Sequence, residues 1–433
     1  MRIGILSQWY APEPGPASLP EVLARQLAAR GHEVSVVTGF PNYPTGKLFA
    51  GYRMRRRLDE GENDGVRIRR VALYPSHNDS ISGRFANYGS FALSAALNGL
   101  DVLRRTDAFW VYNSPATIGL PSALATAAGG PPHLMHVMDL WPDTIRFSGL
   151  ADQRTYRAAE LILRDWCRWT YRRAAAIACI SRTVTAVLEA RGVPAEKLHY
   201  VPVWTDEELY YPRDRPDRLA QEIGVGDRFT LMYAGNLGDA QGLDGLLEVC
   251  ARLSDLDDFH CLIAGSGVAE PRLRRKAQEL GLTNTTFLGR LPVSEMGRLI
   301  ALGDLHVLSL NEDPLSAMTI PSKLPSILAS ARAILASAAG EPSRIVNDAG
   351  AGWTVQPGDA DEFEHAVRQA HGEGRSGLAS RGRAGRAYYE RHFALRAGVD
   401  AVETILKEIA NSSNSHARLL QSAGDPTIPQ PWD

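Results

Sequence analysis

Three glycine-containing loops in the second half of the chain have residue types that bind phosphate groups. They span residues 235–238 (GNLG), 265–267 (GSG) and 288–290 (LGR), and each follows an apolar run that predicts a strand. Glycine at a strand-to-helix turn lets backbone N–H groups approach a phosphate, and the next helix N-terminus favours negative charge. One such loop is equally well explained as a tight turn, but three in register favour nucleotide binding. The candidate binding residues are Gly235, Asn236, Gly238, Gly265, Ser266, Gly267, Leu288 and Arg290.

Lys323 is a further candidate because it occupies a position where a cation is usually unfavourable. The segment 320–324 (IPSKL) places a Pro-Ser turn directly before it, in the first turn of a predicted helix. The helix dipole opposes positive charge there, unless an anion binds close by. We therefore expect Lys323, with Ser322 beside it, to contact a diphosphate. The alternative is a lysine on a solvated surface.

Acidic residues follow several other predicted strands. Glu312 and Asp313 follow one strand of the second half, and Glu341 follows the next. In the first half, Asp139 opens the loop after the predicted strand 133–138. A carboxylate at a strand end can bind a hydroxyl group, although solvated loop acids are the common alternative.

Asp139 is the candidate for a catalytic role in the first half. Trp141 in the same loop supplies an aromatic platform that suits sugar binding, whereas the alternative is a core tryptophan and a helix-capping aspartate. Gly15, after the first predicted strand, would bring backbone N–H groups to a phosphate.

Parallel sheets covered by helices would position these loops. Residues 1–40 are predicted as strand, loop, helix and strand, with Gly31 at the expected end of the helix. The second half again alternates strands with helices, and ligands of such open α/β sheets bind beyond the carboxyl ends of the strands. We predict an α/β protein with two facing Rossmann-like domains, parallel sheets and a cleft between them.

The chain has 433 residues, which is more than one ordinary hydrophobic core accommodates. A polar, proline-bearing stretch after residue 204 suggests where the two halves separate. The predicted parts are an N-terminal domain at 1–200, a C-terminal domain at 201–385, a helical segment at 386–411 that packs back on the N-terminal domain, and a mobile tail at 412–433.

Charge and cysteine patterns limit the partners. A net charge of -2, from 47 basic and 49 acidic residues, argues against nucleic-acid binding. The aspartates in 255–257 (DLD) precede a strand instead of following one, so we expect no metal and no cofactor. We predict no signal peptide and no membrane-spanning segment, and a cytoplasmic location. The cysteines, which lack metal-ligand spacing, are Cys167, Cys179, Cys250 and Cys261.

Two arginine-rich regions are local exceptions to the neutral charge. Solvated faces are the usual explanation of such regions. Arginine combined with tryptophan also suits a membrane interface, so a transient contact with an anionic membrane, at the inner face of the cell membrane, is the alternative. The first region contains Arg53, Arg55, Arg56 and Arg57, and the second contains Arg157, Arg164, Arg168, Arg172 and Arg173 with Trp166 and Trp169.

Together these motifs resemble the family-4 retaining glycosyltransferases of GT-B fold, in the branch that includes N-acetyl-L-fucosamine transferases of bacterial surface polysaccharides. The resemblance covers about residues 1–408 and rests on MDLWPDT, AGNLGDAQGL, AGSG and IPSKL. It implies a nucleotide-sugar donor held by the C-terminal domain, with UDP and an N-acetylated hexosamine or deoxyhexosamine expected. It also implies a glycan or lipid-linked saccharide acceptor on the N-terminal domain.

The resemblance further implies roles for single residues. The loops at 235–238 and 265–267 would face the diphosphate or the sugar, residues 288–290 the base, and Lys323 the charge of the leaving phosphate. In such enzymes the leaving phosphate helps to deprotonate the acceptor on the face where the new bond forms. Positive charge beside that phosphate is then the main catalytic device.

The chain departs from the family pattern at several polar positions. These departures leave Asp139 as the candidate polar anchor. His136 is its neighbour, and the alternation of side chains along a strand either directs His136 to the same side as Asp139 or buries it. The departures are Ser326 in place of the second of two glutamates, Ala331 and Ala333 in place of glycine and proline, Asn236 and Gln241 in place of a basic pair, and Met138 in place of a histidine.

Two other functions fit parts of the pattern. A nucleotide-sugar 2-epimerase also uses two Rossmann-like halves, but it needs acid and base residues on both faces of a sugar ring, and the sequence identifies no such pair. A catalytically silent subunit that binds nucleotide sugar would explain the missing glutamate, whereas Lys323 and the DLWPD segment argue against it. Binding without turnover would distinguish this subunit.

Overall fold

The computed structural model describes residues 1–15, 18–76, 81–144 and 153–422. Two compact units are present, one formed by residues 1–201 with the chain from Val399 onward, and the other by residues 202–398. Each unit contains one sheet whose strands alternate with helices along the chain. The predicted α/β class with two Rossmann-like domains is therefore confirmed. Within the described residues, no helix is both long enough and apolar enough to cross a membrane.

The first unit contains an eight-stranded sheet in the order β3-β4-β2-β1-β5-β6-β7-β8. All neighbours are parallel except β3 and β4, which form an antiparallel hairpin at one edge. Sequence analysis did not predict this hairpin, because its strands are rich in charged residues and the segment around Arg57 was interpreted as a solvated basic region. The strands are Arg2–Leu6 (β1), Glu33–Gly39 (β2), Arg57–Asn63 (β3), Val66–Val71 (β4), Ala108–Asn113 (β5), His133–Val137 (β6), Ala176–Cys179 (β7) and Leu198–Tyr200 (β8).

The second unit contains a six-stranded parallel sheet in the order β11-β10-β9-β12-β13-β14. In chain order this is 3-2-1-4-5-6, the arrangement of doubly wound nucleotide-binding folds, in which ligands bind where the strand order reverses. That reversal lies between β9 and β12, and in the first unit it lies between β1 and β5. The strands are Phe229–Ala234 (β9), Phe259–Ala264 (β10), Thr285–Gly289 (β11), Leu305–Ser309 (β12), Ala333–Ser337 (β13) and Gly352–Val355 (β14).

The helices connect successive strands and bury one apolar face each. In the second unit, for example, Leu246, Leu247 and Cys250 of one helix are buried in a core with the sheet residues Leu231 and Cys261. Such a core holds the strand ends in fixed positions. The helices of the first unit are Ser18–Ala29 (α1), Ile81–Asn98 (α2), Leu100–Leu103 (α3), Gly119–Thr126 (α4), Gln153–Arg173 (α5) and Arg182–Ala190 (α6). Those that follow are Asp217–Ile223 (α7), Leu243–Arg252 (α8), Glu270–Glu279 (α9), Met296–Ile300 (α10), Pro314–Met318 (α11), Lys323–Ala329 (α12), Glu341–Asp348 (α13), Ala360–His392 (α14, interrupted at Gly374) and Leu395–Ser422 (α15).

The C-terminal part of the chain is divided differently from the predicted boundaries. Residues 386–398 belong to the second unit, and the chain from Val399 belongs to the first. Helix α15 continues to Ser422, so residues 412–422 of the predicted tail are helical. The remainder of that tail, 423–433, lies outside the described residues.

Glu403 fastens α15 to the first unit. Its carboxylate accepts hydrogen bonds from Arg30 (2.6 Å) and His32 (3.0 Å), which flank the turn between α1 and β2, and it also pairs with Lys407. The hydrogen bond from Lys407, together with Arg30 and His32, lowers the pKa of Glu403 to about 2. The carboxylate is therefore ionised at neutral pH.

We predict that Glu403→Gln lowers the apparent melting temperature at pH 7 by at most about 4 °C, because partly exposed ion pairs contribute modestly. The pKa is lower in the folded state, so this contribution is present above the ordinary carboxyl pKa of 4.5 and is lost as the pH falls towards 2. Thermal melts of wild type and Glu403→Gln at pH 7 and pH 3 provide the measurement. The difference in melting temperature between the two proteins should be smaller at pH 3. Glu408→Gln on the same helix is the control, and a difference that is equal at both pH values would contradict the account.

Candidate functional site

The loops after β9 and β10 contact each other beside the reversal of the strand order in the second unit, which lies between β9 and β12. Gly235 N–H donates to Ala264 O (2.9 Å), and Leu237 N–H donates to Ser266 O (3.0 Å). Gly265 has a φ of +136°, and a Cβ atom on it would overlap the carbonyl oxygen of Gly235. Gly265 is therefore required by the close approach of the two loops, and this approach sets the shape of any phosphate site formed there.

Asn236 and Gln241, which stand where the family resemblance implied a basic pair, organise the first loop. The Gln241 side-chain oxygen accepts from Gly238 N–H (3.0 Å) and from the Asn236 amide (3.4 Å). Asn311, which follows β12, donates through its side chain to Asp239 O (2.7 Å) and joins this loop to the neighbouring strand end. Amide groups thus build the loop, and they bring no charge to it.

Lys323 supplies positive charge beside this loop. Its Nζ donates to the Tyr233 hydroxyl (2.8 Å) and lies 4.2 Å from the centre of the Tyr233 ring. The Tyr233 hydroxyl donates in turn to Asn236 O (2.7 Å). A Cβ atom on Gly235 would lie 3.1 Å from Nζ, so the lysine reaches the glycine backbone itself.

Lys323 is partly shielded from solvent. The residue is half-buried at the start of α12, after the exposed Ser322. Burial lowers the pKa of the Lys323 ammonium to about 7, whereas burial raises the pKa of Tyr233, which stays neutral. The interpretation of Lys323 as an ordinary solvated lysine is therefore wrong.

Ser326 follows Lys323 by one turn of the same helix. It is buried, and its hydroxyl hydrogen-bonds to the Thr205 hydroxyl (2.8 Å) and to Ser322 O (3.2 Å). Ser326, which stands where the family resemblance implied a glutamate, therefore packs inside the second unit and gives the site no carboxylate.

The other predicted residues of the second unit have different surroundings. Leu288 lies at an irregularity in the pairing of β10 with β11, and Arg290 is exposed just after β11. Glu341 begins α13, is only 3% exposed, and pairs with Arg344 (2.6 Å). Asp313 caps α11 by accepting from Ser316 N–H (2.8 Å), so its candidate role in hydroxyl binding is replaced by a helix cap.

Asp139 lies at the corresponding strand ends of the first unit, directly after β6. The hydroxyl of Ser114, which follows β5, donates to its carboxylate. Burial raises the pKa of Asp139, and the hydrogen bond from Ser114 opposes that rise. Burial raises the pKa values of Tyr88 and Tyr112, and the charge of Asp139 raises both further.

Sequence analysis did not identify a cluster of aromatic rings that includes Tyr88 and Tyr112. Trp9, which follows β1, makes edge contacts with Tyr43, Tyr88 and Tyr112, with ring centres 6.2, 6.3 and 6.5 Å apart. They come from four separate segments, so no single motif reveals the cluster. Rings with a carboxylate suit a ligand that has apolar faces and hydroxyl groups.

Two neighbours of Asp139 have structural positions. His136 is fully buried in β6, where its Nε2 lies 2.9 Å from Val201 O, and burial lowers its pKa to about 4. It is therefore neutral and is not directed to the strand end. Trp141 is half-buried in the loop beyond Asp139.

Gly15 lies in the loop after β1, and buried Glu13 fixes that loop. The Glu13 carboxylate accepts from the backbone N–H groups of Asn42 and Tyr43 (2.8 Å each) and of Tyr10 (3.2 Å). Gly15 is exposed with a φ of +70°, a conformation that favours glycine.

The described residues contain no group of three or more histidine, cysteine or acidic side chains that could hold a metal ion. Asp255 of the DLD triplet pairs with Arg368, with two N–O distances of 2.9 Å. The four cysteines are buried thiols.

Comparisons with known proteins agree with this architecture. Residues 15–204 match a glycosyl transferase 4-like domain, and residues 228–372 match glycosyl transferases group 1. A putative colanic acid biosynthesis glycosyl transferase of Escherichia coli, WcaI, is 28% identical over 76% of this chain and 81% of its own length. A probable glycosyltransferase of Pseudomonas aeruginosa, WbjE, is 25% identical over 59% of this chain and 64% of its own length.

A solved structure shares the fold. HepE of Anabaena, determined in complex with UDP, superposes with a TM-score of 0.69 at 16% identity, covering 94% of this chain and 100% of that one. The two domain matches lie in the two units that the structure separates. The chain therefore belongs to the glycosyltransferases of GT-B fold, with a glycosyl transferase 4-like domain followed by a group 1 glycosyltransferase domain.

Proposed function

We propose that the protein is a retaining hexosyltransferase that moves a sugar from a UDP-sugar to a lipid-linked saccharide or another glycan, without a metal ion. The observation that carries this proposal is the Lys323 ammonium, held by Tyr233 beside the glycine loop after β9. A cation in partly desolvated surroundings binds a phosphate more strongly than it would in water.

In this proposal the glycine loops and Lys323 bind the diphosphate. Transfer breaks the bond between the anomeric carbon and the phosphate oxygen, and the acceptor oxygen bonds to that carbon on the same face. The acceptor proton passes to the leaving phosphate, and Lys323 stabilises the negative charge that remains. In the first unit, Asp139 accepts a hydrogen bond from an acceptor hydroxyl.

The identity of the substrates is supported by the relatives. HepE was solved with UDP, which supports a uridine nucleotide, and the E. coli relative is described as a colanic acid biosynthesis enzyme, which supports a polysaccharide precursor as acceptor. The donor sugar that we favour is an N-acetylated hexosamine or deoxyhexosamine. Such precursors are carried on lipids, and we propose that transfer takes place at the cytoplasmic face of the membrane.

The proposal is tested by the Lys323→Met variant. We expect sugar transfer from UDP-sugar to fall by at least about 100-fold, because a charge-assisted contact to the leaving phosphate is lost. Transfer of radiolabelled sugar, with and without a chelator, measures this loss, and NMR of the product reports whether the configuration is retained. Lys276→Met, at a half-buried lysine of the same unit that pairs with Glu248, should keep full activity.

Wild-type turnover by Lys323→Met would remove Lys323 from the mechanism. Nucleotide binding without turnover in the unaltered protein would instead favour the silent subunit, and release of an isomerised sugar nucleotide would favour the epimerase.

We expect UDP affinity to fall as the pH rises from about 7.5 to 9.5, by up to about 10-fold per unit. The pKa of free Lys323 is about 7, and a bound anion favours the ammonium, so binding takes up a proton in this range. Tyr233 stays neutral there because burial raises its pKa. Titration calorimetry of wild type and of Lys323→Arg measures the effect, since a guanidinium stays charged and should flatten the profile. A sloping profile in both proteins would assign the pH dependence to another group.

For Asp139→Asn we expect the acceptor KM to rise by about 10-fold, with the donor KM unchanged, because the amide is a weaker acceptor of a hydroxyl proton. Steady-state kinetics with each substrate varied in turn provides the measurement. An unchanged acceptor KM would defeat the proposed role, whereas equal effects on both substrates would indicate a general loss of structure.

A further inference from the structure

We propose that helices α2, α4 and α5 of the first unit form a surface that binds an anionic lipid bilayer. Six of the eleven large apolar side chains that are exposed in the described part of the chain lie on these three helices. We call them the apolar face. They are Phe85, Leu93 and Leu97 on α2, Leu124 on α4, and Leu161 and Ile162 on α5.

Helix α2 contributes the longest part of the apolar face. Phe85, Leu93 and Leu97 are 53%, 58% and 76% exposed, and their spacing of eight and four residues places them along one side of the helix. The opposite side packs in the core through Phe91 and Ala95, which are fully buried. The helix is thus apolar on both sides, although only one of them faces the protein.

Helix α5 adds positive charge to the apolar face. Arg164, Arg168 and Arg172 are exposed and follow each other at intervals of four residues, in one row beside Leu161. Asp165 is the acidic side chain within that exposed stretch. Guanidinium groups beside exposed leucine and isoleucine can bind lipid phosphates while the apolar side chains enter the acyl region.

Aromatic contacts fix α5 in this position. Trp166 donates through its indole N–H to Ala116 O (3.0 Å), just before α4, and stacks on Trp169 with ring centres 5.2 Å apart. Arg173 lies over the Trp169 ring, 4.3 Å from its centre. The two tryptophans that suggested a membrane contact therefore hold the helix, and the aliphatic residues of the apolar face make the contact.

The three helices are neighbours within one unit. Helix α4 packs against both α2 and α5. Arg104 donates to Leu124 O (3.0 Å), so a further guanidinium lies beside this residue of the apolar face. Sequence analysis identified α5 from its arginines, but it did not identify α2, whose apolar residues resemble those of an ordinary buried helix.

The positive charge around the aliphatic residues favours an anionic bilayer over a second copy of the chain, because self-association would bring the arginine rows of two copies together. The inference deepens the proposed function by naming the surface that would approach a lipid-linked acceptor. It does not require the donor, so it can be tested separately from transfer.

Flotation of the full-length protein with vesicles tests the inference. We expect binding to phosphatidylcholine vesicles that contain phosphatidylglycerol, weaker binding to phosphatidylcholine alone, and release by salt. The double variant Leu93→Ser and Leu97→Ser should lose at least about 10-fold in vesicle affinity. The triple variant with Arg164, Arg168 and Arg172 changed to Gln should lose the preference for phosphatidylglycerol.

The matched control carries Val268→Ser and Val293→Ser, two exposed apolar positions of the second unit, and should bind vesicles like wild type. All variants should transfer sugar to a water-soluble acceptor at the wild-type rate. If no sugar is transferred in that assay, the result counts against the proposed function, whereas the measurement of vesicle binding is unaffected. Equal vesicle binding by every variant, or no binding by wild type, would overturn the inference. So would a wild-type dimer that the leucine variant dissociates, since a second copy would then cover the apolar face.

Discussion

The hydrogen bond between the Tyr233 hydroxyl and the Lys323 ammonium joins the parts of the candidate donor site. Tyr233 belongs to β9, Lys323 begins α12, and the same hydroxyl donates to Asn236 in the glycine loop. A lysine at a helix N-terminus opposes the helix dipole, and its partial burial adds a desolvation cost. The tyrosine ring and hydroxyl offset part of that cost, and a bound diphosphate would offset the rest.

Amide and hydroxyl side chains occupy the positions where the family resemblance implied charged residues. Asn236 and Gln241 give the loop after β9 its shape through amide hydrogen bonds, so the positive charge comes from α12. Ser326 packs against Thr205 and leaves no carboxylate on that face of α12. In the proposed mechanism the leaving phosphate takes up the acceptor proton and Lys323 stabilises the charge that remains.

The strand-end glycines, Lys323 and Asp139 could be proposed from sequence as candidate site residues, because each interrupts an apolar run with a residue type that has a specific physical use. The alternating strands and helices likewise predicted two parallel sheets. Tyr233 could not be predicted, because within a strand it is indistinguishable from a core aromatic residue. The Trp9 cluster brings together residues from four segments, which only the folded chain reveals. The β3–β4 hairpin was missed because its charged residues hide the alternation that identifies a strand.

The central claim is that Lys323 binds the diphosphate of the donor, and calorimetric titration with UDP and with uridine tests it most directly. The ratio of the two affinities isolates the contribution of the diphosphate, and comparing that ratio between wild type and Lys323→Met assigns it to the lysine. The account predicts that UDP binds wild type far more tightly than uridine does. In Lys323→Met the ratio of the two affinities should fall by about 30- to 150-fold, whereas Lys276→Met should keep the wild-type ratio. An equal ratio in wild type and Lys323→Met would contradict the account, because the diphosphate would then be bound by other groups.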